Sequence, residues 1–313
     1  VYKDSQETKA LDPVEWTGTW RDDRDINPER GMPENELTGT IFTVNAWRND
    51  ALEVPQRFAG HRFWRNTSVA KTTKEKVILL RGLLGHEWDE DIDNGFRPAG
   101  LQRLSETTVN NVQLLMDEGS VFDTGTATHH LTLYRAWPSG ALVFGAGTCQ
   151  WSWGLDAHHD SQTGVPPERA NQYTIRVDLD QHGPDPAVRQ ATVNLFADMG
   201  VRPATPDQAL VLSGPSTDTR PPTCKVTSCI VDDGDTTLKC IGEATDVGGS
   251  VAAVELSVDS EDAWHPAEIA GVYDTTSFTY SAEVKPTSVD FGLYQRTGVS
   301  VRCRAVDDSG NMS

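Results

Sequence analysis

The sequence lacks any long hydrophobic run, and its longest uninterrupted aliphatic stretch is Val77–Leu80. A membrane-spanning helix needs about 20 apolar residues, so no membrane span is expected. Cations are scarce as well, with 27 Lys and Arg against 46 Asp and Glu and a net charge of -19. Because phosphate-binding surfaces need clustered cations, this balance excludes a general binder of nucleic acid or anionic membranes. Hydrophobic residues still make up 37% of the chain, which is enough for packed cores.

Zinc-binding cysteine pairs are also missing. None of the five cysteines forms a Cys-x-x-Cys pair, and no histidine follows at zinc-finger spacing, so no structural zinc site is expected. Four of the five lie toward the C-terminus, at Cys224, Cys229, Cys240 and Cys303. Such clustering is typical of a disulfide-stapled secreted module.

Two Asn-x-Ser/Thr sequons, at Asn66 and Asn311, agree with a secretory context and predict N-glycosylation at both asparagines. The chain begins at Val1 without a signal-peptide pattern, which indicates a processed chain or a fragment. We therefore expect a secreted or extracellular acidic glycoprotein.

Linker composition marks a domain boundary. Residues 211–222 (VLSGPSTDTRPP) are rich in Pro, Ser and Thr, and a chain of this length is expected to hold about two domains. We expect a front domain at 1–210, a linker at 211–222 and a rear module at 223–313.

The rear module shows the period-2 alternation of half-buried strands at 236–244, 251–259 and 298–306, with turn residues between them. This pattern predicts an all-β, immunoglobulin-like sandwich. Cys240 and Cys303 are both expected to face its core, where an inter-sheet disulfide forms in such folds, so we expect a Cys240–Cys303 bridge. Cys224 and Cys229 then pair with each other or stay free.

The front domain mixes strands with one clear helix. Strands are predicted at 40–45, 76–80, 129–135 and 141–146. A helix is predicted at 186–199, because Asp185 suits its N-cap, Pro186 its first turn and Gly200 its end. Strands with a terminal helix predict an α/β or α+β domain.

Several strings of the front domain, taken together and in this order, are typical of one family. They are 12–22 (DPVEWTGTWRD), 33–39 (PENELTG), 63–67 (FWRNT), 87–91 (EWDED), 93–100 (DNGFRPAG), 125–135 (GTATHHLTLYR), 143–148 (VFGAGT), 151–156 (WSWGLD) and 191–200 (ATVNLFADMG). Over about residues 1–206 the chain resembles the C-terminal part of the N,N-dimethylformamidase β (large) subunit-like family. The rear module resembles the immunoglobulin-like domain that often follows it.

The resemblance implies a glutamine-amidotransferase-like α/β fold, partial in this chain, followed by the all-β sandwich. Characterised family members hydrolyse an amide C–N bond with a mononuclear iron held by two tyrosines and a glutamate. The tyrosine ligands are expected upstream of the position matching Val1. Glu87 is then the best candidate for the glutamate ligand, with Asp89 beside it. Iron is expected only if the upstream half, on this or another polypeptide, is present.

Three further groups leave alternatives open. Asp89, Asp91 and Asp93 fall at the first, third and fifth positions of a calcium loop, but the glycine and glutamate that such a loop needs later are missing. Salt bridges to Arg97 and Arg103 are an equal alternative.

His129 and His130 are expected to point to opposite faces of a strand, one buried and hydrogen-bonded and one exposed. His158 and His159 are expected in a solvated loop. Cys149, with no histidine near it in sequence, is expected to be a structural thiol rather than a nucleophile.

Two functions compete on this sequence. The first is a secreted glycoprotein segment whose amidase-like domain is non-catalytic and acts in an extracellular assembly, bound to its upstream half or to another extracellular subunit. The alternative is the back half of a metal-dependent C–N hydrolase, in which a metal polarises the amide carbonyl and activates water. Whether the chain is an enzyme is left open by the sequence. A third option is carbohydrate binding through the many tryptophans of the front domain.

Overall fold

A computed structural model describes residues 11–12, 14–28, 30–117, 119, 121–160, 169, 171, 173–176, 183–231, 237–258, 263–270, 277–284 and 300–313. Antiparallel strands dominate it, which contradicts the α/β class predicted for the front domain. The physical reason is connectivity. Each pair of neighbouring strands in the described sheets is antiparallel, and none is joined by the crossover helix that a parallel α/β sheet requires.

The front part contains nine strands in the described residues. They are β1 (Ile41–Asn45), β2 (Asp50–Pro55), β3 (Lys76–Leu84), β4 (Glu87–Glu90), β5 (Gln102–Arg103), β6 (Thr107–Leu115), β7 (Phe122–His129), β8 (Thr132–Ala136) and β9 (Ala141–Gly145). Strands β1, β4, β7 and β6 close into a small barrel, β2 pairs with β3, and β5, β8 and β9 form a third sheet. The strands predicted at 40–45, 76–80 and 141–146 are confirmed. The one predicted at 129–135 is split between β7 and β8.

Helices are few and mostly short. They are α1 (Asn35–Thr38), α2 (Gln56–Ala59) and α3 (Pro186–Asp198), with 3-10 turns at Arg62–Trp64 and Trp151–Gly154. None of the helices in the described ranges is both long and apolar enough to cross a bilayer.

Helix α3 forms where the sequence predicts it. The Asp185 carboxylate accepts hydrogen bonds from the backbone N–H groups of Ala187 and Val188, which have no partner inside the helix. A third bond, from Leu80 N to the same carboxylate, ties the helix start to β3. At the other end Asp198 is held by the guanidinium groups of Arg62 and Arg65. Charge-assisted hydrogen bonds therefore fix the start of the helix to β3 and its end to the 3-10 turn at Arg62–Trp64.

The front core is built around two fully buried tryptophans. Trp64 packs edge-on against Phe63, and its indole N–H donates to the carbonyl of Leu104 at 2.9 Å. Trp88 lies on the inward face of β4. Because both indole rings are buried in the core, these two tryptophans cannot stack on a sugar.

The rear part forms two antiparallel sheets. Its strands are β10 (Thr223–Val231), β11 (Leu238–Thr245), β12 (Val251–Val258), β13 (His265–Pro266), β14 (Glu268–Ala270), β15 (Ser277–Val284) and β16 (Val301–Asp307). One sheet has the order β10-β11-β15-β14 and the other β13-β12-β16. The predicted common face of Leu238, Cys240 and Ala244 is confirmed, since all three are buried. Residues 236, 259, 298 and 299 of the predicted strands lie outside the described residues.

Strand β12 departs from the predicted half-burial, because both of its faces are covered. Ala252, Val254 and Leu256 are buried as expected, but so are Glu255 and Ser257 on the opposite face. The Glu255 carboxylate accepts from Arg97 at 3.0 Å and from Arg304 at 2.6 Å. Since Arg97 belongs to the front part, this face of β12 packs on the front part rather than facing water.

Arg97 continues the network into the front part. It forms a two-pronged ion pair with Asp91, at 2.8 and 3.1 Å, and Arg103 reaches the same carboxylate at 2.7 Å. Burial by itself raises the pKa of Asp91, but the two guanidinium groups outweigh it and hold the pKa well below its ordinary value. Asp91 is therefore charged at neutral pH. Its pairing stabilises the folded state above the ordinary carboxyl pKa and is lost as the pH falls below it.

The disulfide in the structure differs from the predicted pairing. Cys229 is bonded to Cys240, with Cα atoms 4.1 Å apart, so neither Cys240–Cys303 nor Cys224–Cys229 is formed. A β-bulge between Val226 and Ser228 shifts the register of β10 and places Cys229 directly opposite Cys240 on β11. Cys303 lies in the other sheet. The sequence pattern does not reveal the bulge, which is why the prediction was wrong.

Cys224 and Cys303 are neighbours across the two sheets. Hydrogen bonding by the Cys224 thiol lowers the pKa of the Cys303 thiol to about 6 and raises that of Cys224 itself. A thiolate beside a thiol is the arrangement from which a disulfide forms through exchange.

We expect oxidised glutathione to convert this thiol pair into a Cys224–Cys303 disulfide, with release of reduced glutathione. Non-reducing peptide mass mapping should find that bridge beside Cys229–Cys240, with Cys149 still open to alkylation. The Cys303→Ser variant should leave Cys224 alkylatable. A cross-linked peptide joining Cys240 to Cys303 would contradict the structure.

The Glu255→Gln substitution should destabilise the protein by about 3 kcal/mol, because it leaves buried guanidinium charge without its carboxylate. Urea unfolding followed by tryptophan fluorescence measures the loss. Glu243→Gln is the control, since Glu243 pairs with Lys225 at 3.0 Å on the exposed face of the rear module and should change stability little. Equal unfolding midpoints for the two variants would show that the network does not stabilise the fold.

Candidate functional site

The site predicted from the family resemblance lies at the start of β4. Glu87 and Asp89 are two residues apart on this strand, so they share one face, while Trp88 points into the core. Asp89 Oδ2 accepts a 2.8 Å hydrogen bond from Thr40 Oγ1. The Glu87 carboxylate is exposed and forms no hydrogen bond or ion pair within the described residues. Of the two predicted ligands, Glu87 is thus the one that is free to bind something else.

Beside Glu87 lie three side chains that are far from one another in sequence: His86, Cys149 and Tyr173. Cys149 Sγ lies 3.7 Å from His86 Nδ1, and the Tyr173 ring packs edge-on against the imidazole, with centroids 4.2 Å apart. An antiparallel bridge between Trp88 and Thr148 brings the segment after β9 alongside β4. We call the surface formed by Trp47, His86, Glu87, Cys149 and Tyr173 the β4 corner.

The Cys149–His86 pair resembles a nucleophile with its base, but its electrostatics oppose that role. Desolvation raises the pKa of the Cys149 thiol, and the Glu87 carboxylate raises it further. Desolvation lowers the pKa of His86. Both shifts favour a neutral thiol and a neutral imidazole over the thiolate–imidazolium pair of cysteine hydrolases. The sequence missed His86 as a neighbour of Cys149 because 63 positions separate them.

Trp47 is the strained residue of the corner. It has φ of 57°, a left-handed conformation that a bulky side chain rarely adopts. Its indole N–H donates to Gln113 Oε1 at 2.6 Å, its ring packs edge-on against Tyr173, and about half of the residue stays exposed, at 51%. Backbone strain of this kind costs about 1–3 kcal/mol and concentrates at binding and catalytic sites.

The two adjacent histidines behave differently from the prediction, since both are buried. His129 Nε2 lies 2.9 Å from the carbonyl oxygen of Ala146, and His130 Nε2 lies 3.6 Å from Glu106 Oε2. Burial lowers the pKa of both rings, that of His129 to about 3. Burial thus favours the neutral form of both rings, which suits a packing role.

Of the two alternatives for the acidic run at 89–93, the structure shows salt bridges rather than a calcium loop. Asp91 pairs with Arg97 and Arg103, and Asp93 lies 2.7 Å from His265 of the rear part. In the other histidine pair, His159 stacks on Trp153 and its Nδ1 lies 3.0 Å from the carbonyl of Thr174, so it is not a freely solvated ring.

The side-chain amides of the two sequon asparagines differ in the number of hydrogen bonds that they donate. Asn66 is exposed, and its Nδ2 donates a single hydrogen bond, to Ser213 at 3.1 Å. Asn311 Nδ2 donates to both the Asp218 carbonyl and the Asp307 carboxylate. A glycan on Asn311 would disrupt this arrangement, so the structure opposes the prediction at Asn311, and glycosylation at Asn66 stays a prediction.

A mononuclear iron does not fit the described residues of the β4 corner. Such a metal needs several protein ligands converging on one point. Glu87 is a free carboxylate, but Asp89 is held by Thr40, and no group of three His, Cys, Asp or Glu side chains within ligand distance includes either residue in the described part of the chain. We therefore derive no reaction step through iron at this place.

The fold and the corner together define a class: a β-rich domain with an exposed acidic and aromatic surface, joined by buried ion pairs to a second unit of two sheets. A family model described as N,N-dimethylformamidase beta subunit-like, C-terminal, matches residues 1–163, more than half of the chain. The chain belongs to this family, and the resemblance noted from its sequence strings is confirmed.

Other comparisons add little. No curated protein matches the chain. Among solved structures it is similar to the sulfane dehydrogenase SoxCD from Paracoccus pantotrophus, at 20% identity and a TM-score of 0.24. The match covers 30% of this chain and 23% of that one, and at this TM-score it carries no argument.

The alkylation rate of Cys149 tests the chemistry of the corner. With Cys224 and Cys303 replaced by serine, iodoacetamide should label Cys149 with an apparent pKa above the ordinary thiol value, because the thiol is desolvated and lies near Glu87. His86→Ala should leave that pKa almost unchanged. A labelling pKa below 7 that rises on His86→Ala would reveal a thiolate–imidazolium pair and a competent nucleophile.

Proposed function

We propose that this chain is a non-catalytic, scaffolding segment of an N,N-dimethylformamidase-like protein, whose β4 corner docks against its upstream half or another subunit. One observation carries the proposal. The strained, half-exposed Trp47 and the unpartnered Glu87 lie together on an exposed surface, where the described residues supply neither an activated nucleophile nor a converged ligand set.

The energetics of these residues support docking. Apart from the Trp47–Gln113 hydrogen bond and the ring contact with Tyr173, the exposed indole and the unpaired carboxylate contribute little to the stability of the chain alone, and Trp47 costs it strain. A partner that covers the indole and pairs with Glu87 recovers both costs, since aromatic side chains dominate the energy of interfaces. Buried ion pairs centred on Arg97 hold the front part against the rear part during such contact.

A second candidate follows from Glu87 alone. If the docking partner supplies tyrosine ligands, Glu87 is placed to complete a metal site from this side, and the chain is then the back half of an amide hydrolase. The family membership and the free carboxylate favour this version. The proposed scaffold and the hydrolase half therefore share the same docking face and differ only in whether Glu87 binds a metal.

Secretion is part of the first proposal. It rests on the Cys229–Cys240 disulfide and on the exposed position of Asn66, because disulfides persist in oxidising compartments. We expect enzymatic deglycosylation to lower the mass of the secreted parent protein. The same treatment should leave the mass of the Asn66→Gln variant unchanged.

Metal content and amide hydrolysis separate the two candidates. We expect the 313-residue chain, incubated anaerobically with Fe²⁺ and desalted, to retain far less than one iron per chain and to release no dimethylamine from N,N-dimethylformamide. Glu87→Gln should behave identically. Glu75→Gln, a change at another exposed carboxylate, is the matched control. Stoichiometric iron that is lost in Glu87→Gln but kept in Glu75→Gln, together with dimethylamine release, would overturn the scaffold proposal.

A further inference from the structure

A second cluster of carboxylates lies far from the β4 corner, where the segment after α3 meets the rear module. Asp218, Asp246 and Asp307 come from three different stretches of chain, and one carboxylate oxygen of each lies within 4.8 Å of the others. Asp246 and Asp307 are almost completely buried, at 3% and 0% exposure. We call this group, with the adjacent Asp308, the acidic cluster.

In Asp246 and Asp218, one carboxylate oxygen accepts a backbone hydrogen bond and the other has no partner. Asp246 Oδ2 accepts from the Gly249 N–H at 2.6 Å, and Asp218 Oδ1 accepts from the Arg220 N–H at 3.0 Å. The other oxygens, Asp246 Oδ1 and Asp218 Oδ2, are buried and have no hydrogen-bond partner in the described residues. Loop amides thus orient each carboxylate while leaving one oxygen without a partner.

Asp307 is held through both of its carboxylate oxygens by the loop that follows it. Its Oδ1 accepts from the N–H groups of Ser309 and Asn311, and its Oδ2 accepts from Asn311 Nδ2. The same Asn311 amide also donates to the Asp218 carbonyl at 3.2 Å. Asn311 therefore positions two of the three acidic residues relative to each other.

Two glycines make the close approach of these carboxylates possible. A Cβ atom on Gly248 would lie 2.6–2.8 Å from the Asp218 carboxylate. One on Gly249 would lie 2.9 Å from Asp308, 3.1 Å from Asp218 and 3.2 Å from Asp246. Because a side chain at either glycine would occupy the space that the carboxylates share, the loop after β11 forms a cradle for them.

None of the four aspartates forms an ion pair within the described residues. Asp307 and Asp308 act electrostatically on the Arg62 guanidinium without pairing with it. Arg62 and Arg135 line an adjacent cavity of about 240 Å³ with Asp218 and Asp308. Arg62 is paired with Asp198, and Arg135 donates to the carbonyls of Gly140 and Ser309. Buried carboxylates without a counter-charge are costly, and proteins resolve that cost by pairing or by binding a metal.

We propose that Asp218, Asp246 and Asp307 bind one Ca²⁺ ion, which ties the 211–222 segment to the rear module. Ca²⁺ takes six to eight oxygen ligands at about 2.3–2.6 Å, so oxygens on opposite sides of the ion lie up to about 5 Å apart. The three oxygens lie within 4.8 Å of one another, which is compatible with this size. Mg²⁺ usually keeps several waters and binds through one or two carboxylates, so a site of three carboxylates favours Ca²⁺. The inference is independent of the proposed docking function.

Calcium titration of the full chain tests the site. After removal of metal with a chelator, isothermal titration with CaCl₂ should show one ion per chain with a sub-millimolar Kd. Scanning calorimetry should show a melting temperature about 5 °C higher in millimolar CaCl₂ than in EDTA, because a ligand that binds only the folded state stabilises it. No binding heat and no shift at about 10 mM CaCl₂ would overturn the proposal, as would an equal shift with MgCl₂.

The Asp246→Asn variant distinguishes a ligand from a structural side chain. It keeps the shape and the oxygen that accepts from Gly249, so we expect at least tenfold weaker Ca²⁺ binding with a melting temperature in EDTA equal to or above that of the parent, since like-charge repulsion falls. Asp12→Asn is the matched control, because Asp12 accepts two loop N–H bonds outside the cluster, and it should keep full binding. An Asp246→Asn loss of stability that is the same in CaCl₂ and EDTA would overturn the assignment.

Discussion

The buried ion pairs around Arg97 are the constraint on which the rest of the structure depends. Arg97 binds Asp91 in the front part and Glu255 in the rear part, while Arg103 adds a bond to Asp91 and Arg304 pairs with the second oxygen of Glu255. Each charge has a partner of opposite sign, so the network offsets a desolvation cost that would otherwise be several kcal/mol per ion. Because its geometry is met only when the two parts are packed together, the network sets their relative position.

Two separate surfaces of the molecule have different characters. The β4 corner is exposed, partly strained and neutral in its Cys149–His86 pair, which suits contact with another chain rather than proton transfer. The acidic cluster is largely buried, pre-oriented by loop amides and rich in charge, which suits a cation. In our two proposals, a partner covers the first surface and an ion occupies the second.

Local patterns predicted the elements of this fold better than its class. Helix α3 is confirmed because its cap and stop residues are adjacent in sequence, and β11 is confirmed because alternation reports one buried face directly. The α/β class was wrong because it came from the family resemblance and from a helix after several strands, whereas the class depends on how strands pair. The disulfide was wrong because one bulge in β10 changes which face Cys229 occupies.

The sequence by itself determined the family, the strand periodicity and the candidate carboxylate at Glu87, because each can be identified from residues that are adjacent in sequence. Only the tertiary structure brought His86 beside Cys149, covered the polar face of β12 with Arg97, and gathered Asp218, Asp246 and Asp307. Those juxtapositions join residues about 30 to 160 positions apart. They depend on sheet pairing and on the burial of charge, which no local pattern of side chains records.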